Sequence, residues 1–280
     1  MAAHEEELGI AAGEATAGRR PVAGPSRTPV LGAPLVEYLL RLGDDRLILG
    51  HRLSEWCGHG PILEEDIALS NMALDLIGQA AALLRLAGEA EGQGRDEDAL
   101  AYWREAVQFR NALITELPNG DFGVTIVRQF LVSAHSLLLW EALLGAPHEG
   151  LAGVAAKAVK EVRYHVRHSG EWVVRLGDGT PESQARVQRA LDDLWRYTGE
   201  LFDADAVDAA VAALGIVVDH AALKARWDGL VDEVLARATL VRPADGPMRR
   251  GGRVGRHTEH LGHLLSVMQS VTRAHPGATW

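Results

Sequence analysis

From residue 35 almost to the end of the chain, apolar side chains recur at helical spacing, and no segment alternates in the manner of a strand. The pattern predicts a first helix over 34–57, stopped by Gly58 and Gly60. A second begins near Pro61 and reaches 88, with Glu64, Glu65 and Asp66 in its early turns, where the helix dipole favours negative charge. A short third helix over 97–116 ends before "LPNGDFG", whose Asn119-Gly120 marks a turn. The fourth, over 122–145, is apolar nearly all round (Phe122, Ile126, Phe130, Leu137, Trp140), as befits the middle of a bundle. A fifth covers 151–176. Thr180 is a good cap and Pro181 a good first residue for a sixth over 181–201. Two more, over 204–214 and 219–240, precede "RPADGPMRRGGRVGR", which reads as an open loop, and a last helix covers 258–273. Residues 1–31, rich in Ala, Gly, Pro and Arg and without a period, read as a disordered N-terminal extension; 32–280 read as one helical domain.

The fold class is therefore all-α. Short turns join the first helix to the second and the fourth to the fifth. Two antiparallel pairs separated by a longer connection follow the plan of a ferritin-like four-helix bundle, here with additional helices. That plan directs attention to polar residues inside the bundle. In its di-iron form one helix of each pair supplies a Glu and the other a Glu-x-x-His.

Positions equally far from a shared turn face each other in an antiparallel pair. Counting about ten residues from the turn between the fourth and fifth helices sets His135 opposite Glu161. A count of about twelve on the first pair sets Asp44 or Asp45 against Asp75, and a mid-helix Asp-Asp has little local reason to exist. Asp45, Asp75, His135 and Glu161 are thus expected at one level. The metal recipe is incomplete: three residues after Asp75 stands Gly78, and three after Glu161 stands Tyr164. His165 comes one position later, rotated by about 100°, and is expected to aim elsewhere. These residues read as a buried hydrogen-bonded network, Asp with His and Glu with Tyr; an atypical metal site on His135, Glu161 and His165 is the alternative. His168 reads as a surface or satisfied histidine.

Bulk properties narrow the classes. The 280-residue chain is 47% hydrophobic, enough for a sizeable core, and its net charge of −10 argues against a general nucleic-acid binder. Cys57 is the only cysteine, so there is no intrachain disulfide and no thiolate cluster, which fits a cytoplasmic location. No run of about 18 apolar residues is free of charge, so no membrane span is expected. The acidic opening "MAAHEEELGI" is not a secretory signal.

Three stretches carry a resemblance: "GDDRLILGHRLSEWCGHGPILEEDIALSNMALDLIGQA", "KEVRYHVRHSGEWVVRLGDGTPES" and "GRHTEHLGHLL". Across about residues 35–275 the chain resembles the C subunits of bacterial phenylacetyl-CoA epoxidases. The resemblance implies a structural subunit of a complex that epoxidises the aromatic ring of phenylacetyl-CoA in aerobic phenylacetate breakdown. It implies a catalytic A subunit of the same fold carrying the di-iron centre, a small B subunit, and a transient reductase, E, with FAD and a 2Fe-2S cluster. No cofactor is then expected in this chain, and Gly78 and Tyr164 at the histidine positions agree with that. The competing functions are a free-standing di-iron oxygenase with unusual ligands and an iron-storage protein; storage needs a competent oxidation site, and the ligands for one are incomplete.

Two further clusters are weaker. Arg249, Arg250, Arg253 and Arg256 are candidates for contact with CoA phosphates or an acidic partner, since arginine forks suit phosphate. His257, Glu259, His260 and His263 lie close together, either as a metal group or as a helix start packed on the bundle. The seven tryptophans read as core and interface anchors.

Overall fold

The computed structural model describes residues 33–278, and the N-terminal extension expected over 1–31 lies outside them. Four long helices form the ferritin-like bundle: α1 (Ala33–Ser54), α2 (Leu63–Glu91), α5 (Phe122–Leu143) and α6 (Glu149–Gly177). Between the pairs run the short α3 (Glu97–Tyr102) and α4 (Leu113–Glu116). After α6 come α7 (Pro181–Trp195), α8 (Ala206–Ala212), α9 (His220–Arg237), α10 (Glu259–Met268) and α11 (Ser270–Ala274). No strand occurs among the described residues.

Local chemistry explains most of the boundaries. Asp121 caps α5 by accepting the Val124 N–H at 3.0 Å. Thr180 caps α7 with Ser183 in a reciprocal box behind Pro181. Gly92, left-handed at φ 67°, closes α2. α1 packs along α2 and α5 along α6, and α5 is buried almost all round, Trp140 and Phe130 included. By length and composition α2 and α5 would both qualify to cross a membrane, which the charge-free criterion applied to the sequence did not register. For α5 the reason is burial: it is the central helix of the bundle.

The expected helix over 97–116 is broken. Only α3, a 3₁₀ turn at Ala106–Gln108 and α4 are helical. The backbone N–H groups of Arg110 and Ala112, which a continuous helix would use internally, donate instead to Asp44 and Asp45 on α1, at 2.8 and 2.7 Å. The sixth helix is likewise shorter than expected, stopping at Trp195 and giving way to a 3₁₀ segment, Thr198–Phe202. The segment read as an open loop is built into the fold. Buried Glu200 accepts the N–H groups of Leu113, Gly251 and Arg253 at 2.8, 2.9 and 3.3 Å. Gly252 lies so close to the carbonyl of Asn111 that a Cβ there would fall 2.0 Å from its oxygen, so only glycine fits.

Candidate functional site

Asp44 and Asp45 sit side by side in the middle of α1, both buried. Asp44 accepts a two-pronged ion pair from Arg104, with Nη1 at 2.9 Å, plus the Arg110 N–H. The Arg104 guanidinium lies over the Phe109 ring at 4.2 Å. Asp45 takes both Nη groups of Arg253, at 3.0 and 2.9 Å, plus the Ala112 N–H. A third guanidinium, Arg46, enters the bundle core between α1 and α5. It bonds Leu42 O at 3.3 Å and Ser136 Oγ at 3.4 Å and lies over Trp140 at 4.6 Å. Burial lowers its pKa to about 10 against the pull of Asp45.

The second group of polar residues forms a seam between α2 and α6. His165 Nε2 donates to Asp75 Oδ2 at 3.0 Å, and Gln79 Nε2 donates to Glu161 Oε2 at 2.9 Å, with Lys157 3.3 Å from the same carboxylate. As the α2 number rises by four the α6 number falls by four, which is the register of antiparallel neighbours. Further along, Glu65 and His168 approach to 2.9 Å without an aligned hydrogen bond, and Tyr164 Oη reaches His168 Nδ1 at 3.4 Å.

The four residues expected at one level are therefore not one network. Asp75 and Glu161 share the seam, whereas Asp45 is held by Arg253, and His135 belongs to a different pocket. There His135 packs edge-on to Phe202, 5.2 Å between ring centroids, and its buried Nε2 meets no protein partner. Burial, with Arg46 and Arg253 nearby, holds its pKa well below 6.5. The expected Glu–Tyr pair is also absent: Glu161 bonds Gln79, and Tyr164 is exposed. His165 does not aim away from the acidic positions but is fully buried and meets Asp75. The cause is the rotation of α2 and α6. Their i+3 positions, Gly78 and Tyr164, point outward, and their i+4 positions, Gln79 and His165, point in.

The di-iron plan of this fold can be tested against these donors. Asp44 and Asp45 are neutralised by guanidinium groups that a metal cation would have to displace. Asp75 and Glu161 each accept from a side-chain donor, and His135 is remote from the seam. The residues do not fit a two-metal centre of the Glu and Glu-x-x-His kind. Among the described residues no group of three or more His, Cys, Asp or Glu side chains is placed to hold a metal.

The arginine loop divides. Arg253 faces inward, bonding Asp45 and the carbonyl oxygens of Arg41 and Arg110, so it is not available to a phosphate. Arg250 pairs with Asp203 at 2.5 Å on the surface; Arg249 and Arg256 are exposed. The histidine cluster also separates. His257 leaves His260 and His263 and donates through Nδ1 to buried Glu116 at 2.7 Å and through Nε2 to the Phe109 carbonyl at 3.0 Å. Glu116 in turn accepts from Asn111 Nδ2 at 2.8 Å and the Thr258 N–H at 2.6 Å. Arg46, Arg104, Gln79, Glu116 and Glu200 were not singled out from sequence. Gln79 alone left a signal, as a polar side chain within the buried arc of α2.

His257 has a measurable consequence. Both ring nitrogens face acceptors, so the charged form is the one that satisfies them. Burial pulls its pKa down, but the Glu116 hydrogen bond and charge and the Phe109 carbonyl outweigh this, and it stands above 6.5. A raised folded pKa gives stability that is complete below the unfolded value and is lost as pH rises through the folded one. His257→Gln should therefore narrow its stability deficit against wild type between about pH 6 and pH 9. Thermal unfolding across that range is the check, and parallel pH curves would show the imidazolium assignment to be wrong.

The comparisons with known proteins agree with this architecture. The chain belongs to the phenylacetic acid catabolic protein family, whose model matches residues 27–280. Within it, the chain is 48% identical over 246 residues, 88% of this chain and 99% of the relative, to the C subunit of the 1,2-phenylacetyl-CoA epoxidase of Escherichia coli (strain K12).

Proposed function

We propose that the chain is a structural subunit of a multicomponent di-iron epoxidase acting on phenylacetyl-CoA. In this reading it stabilises a catalytic A subunit of the same fold and holds no iron itself; a small B subunit and a reductase, E, complete the system. The observation that carries the reading is the commitment of the carboxylates at the expected site positions, two buried and two at the α2–α6 seam. Asp44 and Asp45 are locked by Arg104 and Arg253, while Asp75 and Glu161 are bonded to His165 and Gln79. A ferritin-like bundle whose acids are tied to protein donors is suited to holding shape rather than to binding a metal. The likeness to an epoxidase C subunit over 99% of that relative's length supports the assignment to such a complex.

Co-expression with the iron-bearing homologue, followed by size-exclusion chromatography, tests it. The two chains should elute together at micromolar concentration, as permanent complexes with large interfaces do. Separate elution would remove the basis for a structural role.

A further inference from the structure

The bundle is covered unevenly. α4 and α8 pack on α1, α7 and α9 on α5 and α6, and α3 on α2, but an outer arc of α2 and one of α6 remain exposed along their length. On α2, Leu63, Ile67 and Leu74 are 72%, 52% and 66% exposed. With exposed Gly78 they fall within about 60° of arc, one line along the helix that Ser70 and Asn71 border between Ile67 and Leu74. A glycine at 78 adds a place where another backbone can approach, since a Cβ there would meet nothing within 4 Å. Exposed large apolar side chains in one stripe mark an interaction surface rather than chance exposure.

α6 carries the complementary feature. Lys157, Lys160, Arg167 and Arg175 are exposed and share about 80° of its outer arc with Tyr164. Glu171 is the acid among them. In a chain of net charge −10, a cationic strip beside an apolar stripe is a local reversal of sign.

We infer that the α2–α6 face is the docking surface for the iron-bearing subunit, and that this partner meets it with a helical face whose apolar ridge is flanked by acidic side chains. The inference rests on the structural-subunit reading above. A second copy of this chain fits poorly. A twofold axis along the seam would lay the cations of one α6 on the apolar stripe of the other α2. A twofold axis across the seam would set the two cationic strips against each other. Either arrangement desolvates charge without a counter-charge. An anionic membrane is disfavoured by the overall negative charge and by Glu64 and Asp66 at the start of the stripe.

The test uses the full chain, the co-expressed partner and three paired variants. Ile67→Glu with Leu74→Glu should weaken the complex by about a hundredfold or more, as expected for buried anchors near an interface centre. Lys160→Glu with Arg167→Glu should slow association and reduce its sensitivity to salt. Val267→Glu with Val271→Glu, on an exposed apolar patch of α10 and α11, should leave affinity within about threefold. Melting temperatures should match wild type, because all six side chains are exposed. If the wild-type pair forms and the α2 and α6 variants bind equally well, the face is wrong and the structural role survives. If the wild-type chains do not pair, the role itself fails and this inference with it. Self-association of the isolated chain that the α2 variant abolishes would assign the face to a second copy. Binding to anionic phosphatidylserine vesicles that the variant abolishes would assign it to a membrane. Either result overturns the proposal.

Discussion

Arg104→Ala should remove about 3–5 kcal/mol of folding stability, the usual cost of breaking a buried ion pair from one side. Asp44 is fully buried and Arg104 is 3% exposed, so the truncation leaves a carboxylate without its counter-charge, away from bulk water. The Arg110 N–H at 2.8 Å would be the carboxylate's remaining donor. The bonds from Arg104 to the Leu100 and Gln108 carbonyls, and its stacking on Phe109, would go at the same time. Chemical denaturation of the variant reads the loss directly. Asp44→Ala in the Arg104→Ala background should recover part of it, because the orphaned charge is then gone. A loss below about 1 kcal/mol would mean that the pair behaves as a surface pair and that this segment is held by other contacts.

That ion pair also explains what could and could not be read from the chain. The long helices, the cap at Thr180 and the central position of α5 follow from local periodicity and end chemistry. The helix expected over 97–116 failed because its backbone donors are claimed by Asp44 and Asp45, more than sixty residues earlier. The Asp-Asp pair was recognisable as out of place mid-helix, but nothing local names Arg104 or Arg253 as its partners. Matching positions by equal distance from the α1–α2 and α5–α6 turns did not bring the expected pairs together: Gly43 lies against Leu84 and Gly50 against Ile77, so Asp45 stands well along α2 from Asp75, and Gly170 lies against Phe130, which moves Glu161 off the level of His135. α2 and α6 have no such turn, so their register, and with it the Asp75–His165 bond, was not accessible from spacing. The same rotation makes i+4 the inward position, which is why His165 is buried and Tyr164 is not. The arginine-rich stretch looked open by composition; Glu200 and Asp45 fold it in.

The double variant Asp75→Ala, Glu161→Ala separates the structural reading from a metal site in this chain. Its removal of two acceptors leaves His165 and Gln79 without these partners, at about 1–3 kcal/mol for each unsatisfied group. The variant should melt earlier and assemble less complex. The decisive quantity is iron per assembled complex, measured by elemental analysis, together with epoxidation rate per iron. Under the structural reading both should match wild type, because that reading places the iron in the other subunit. Loss of iron from the complex, with turnover per complex falling about a hundredfold or more while assembly persists, would show that Asp75 and Glu161 are ligands and that this chain is itself a metal-binding oxygenase subunit.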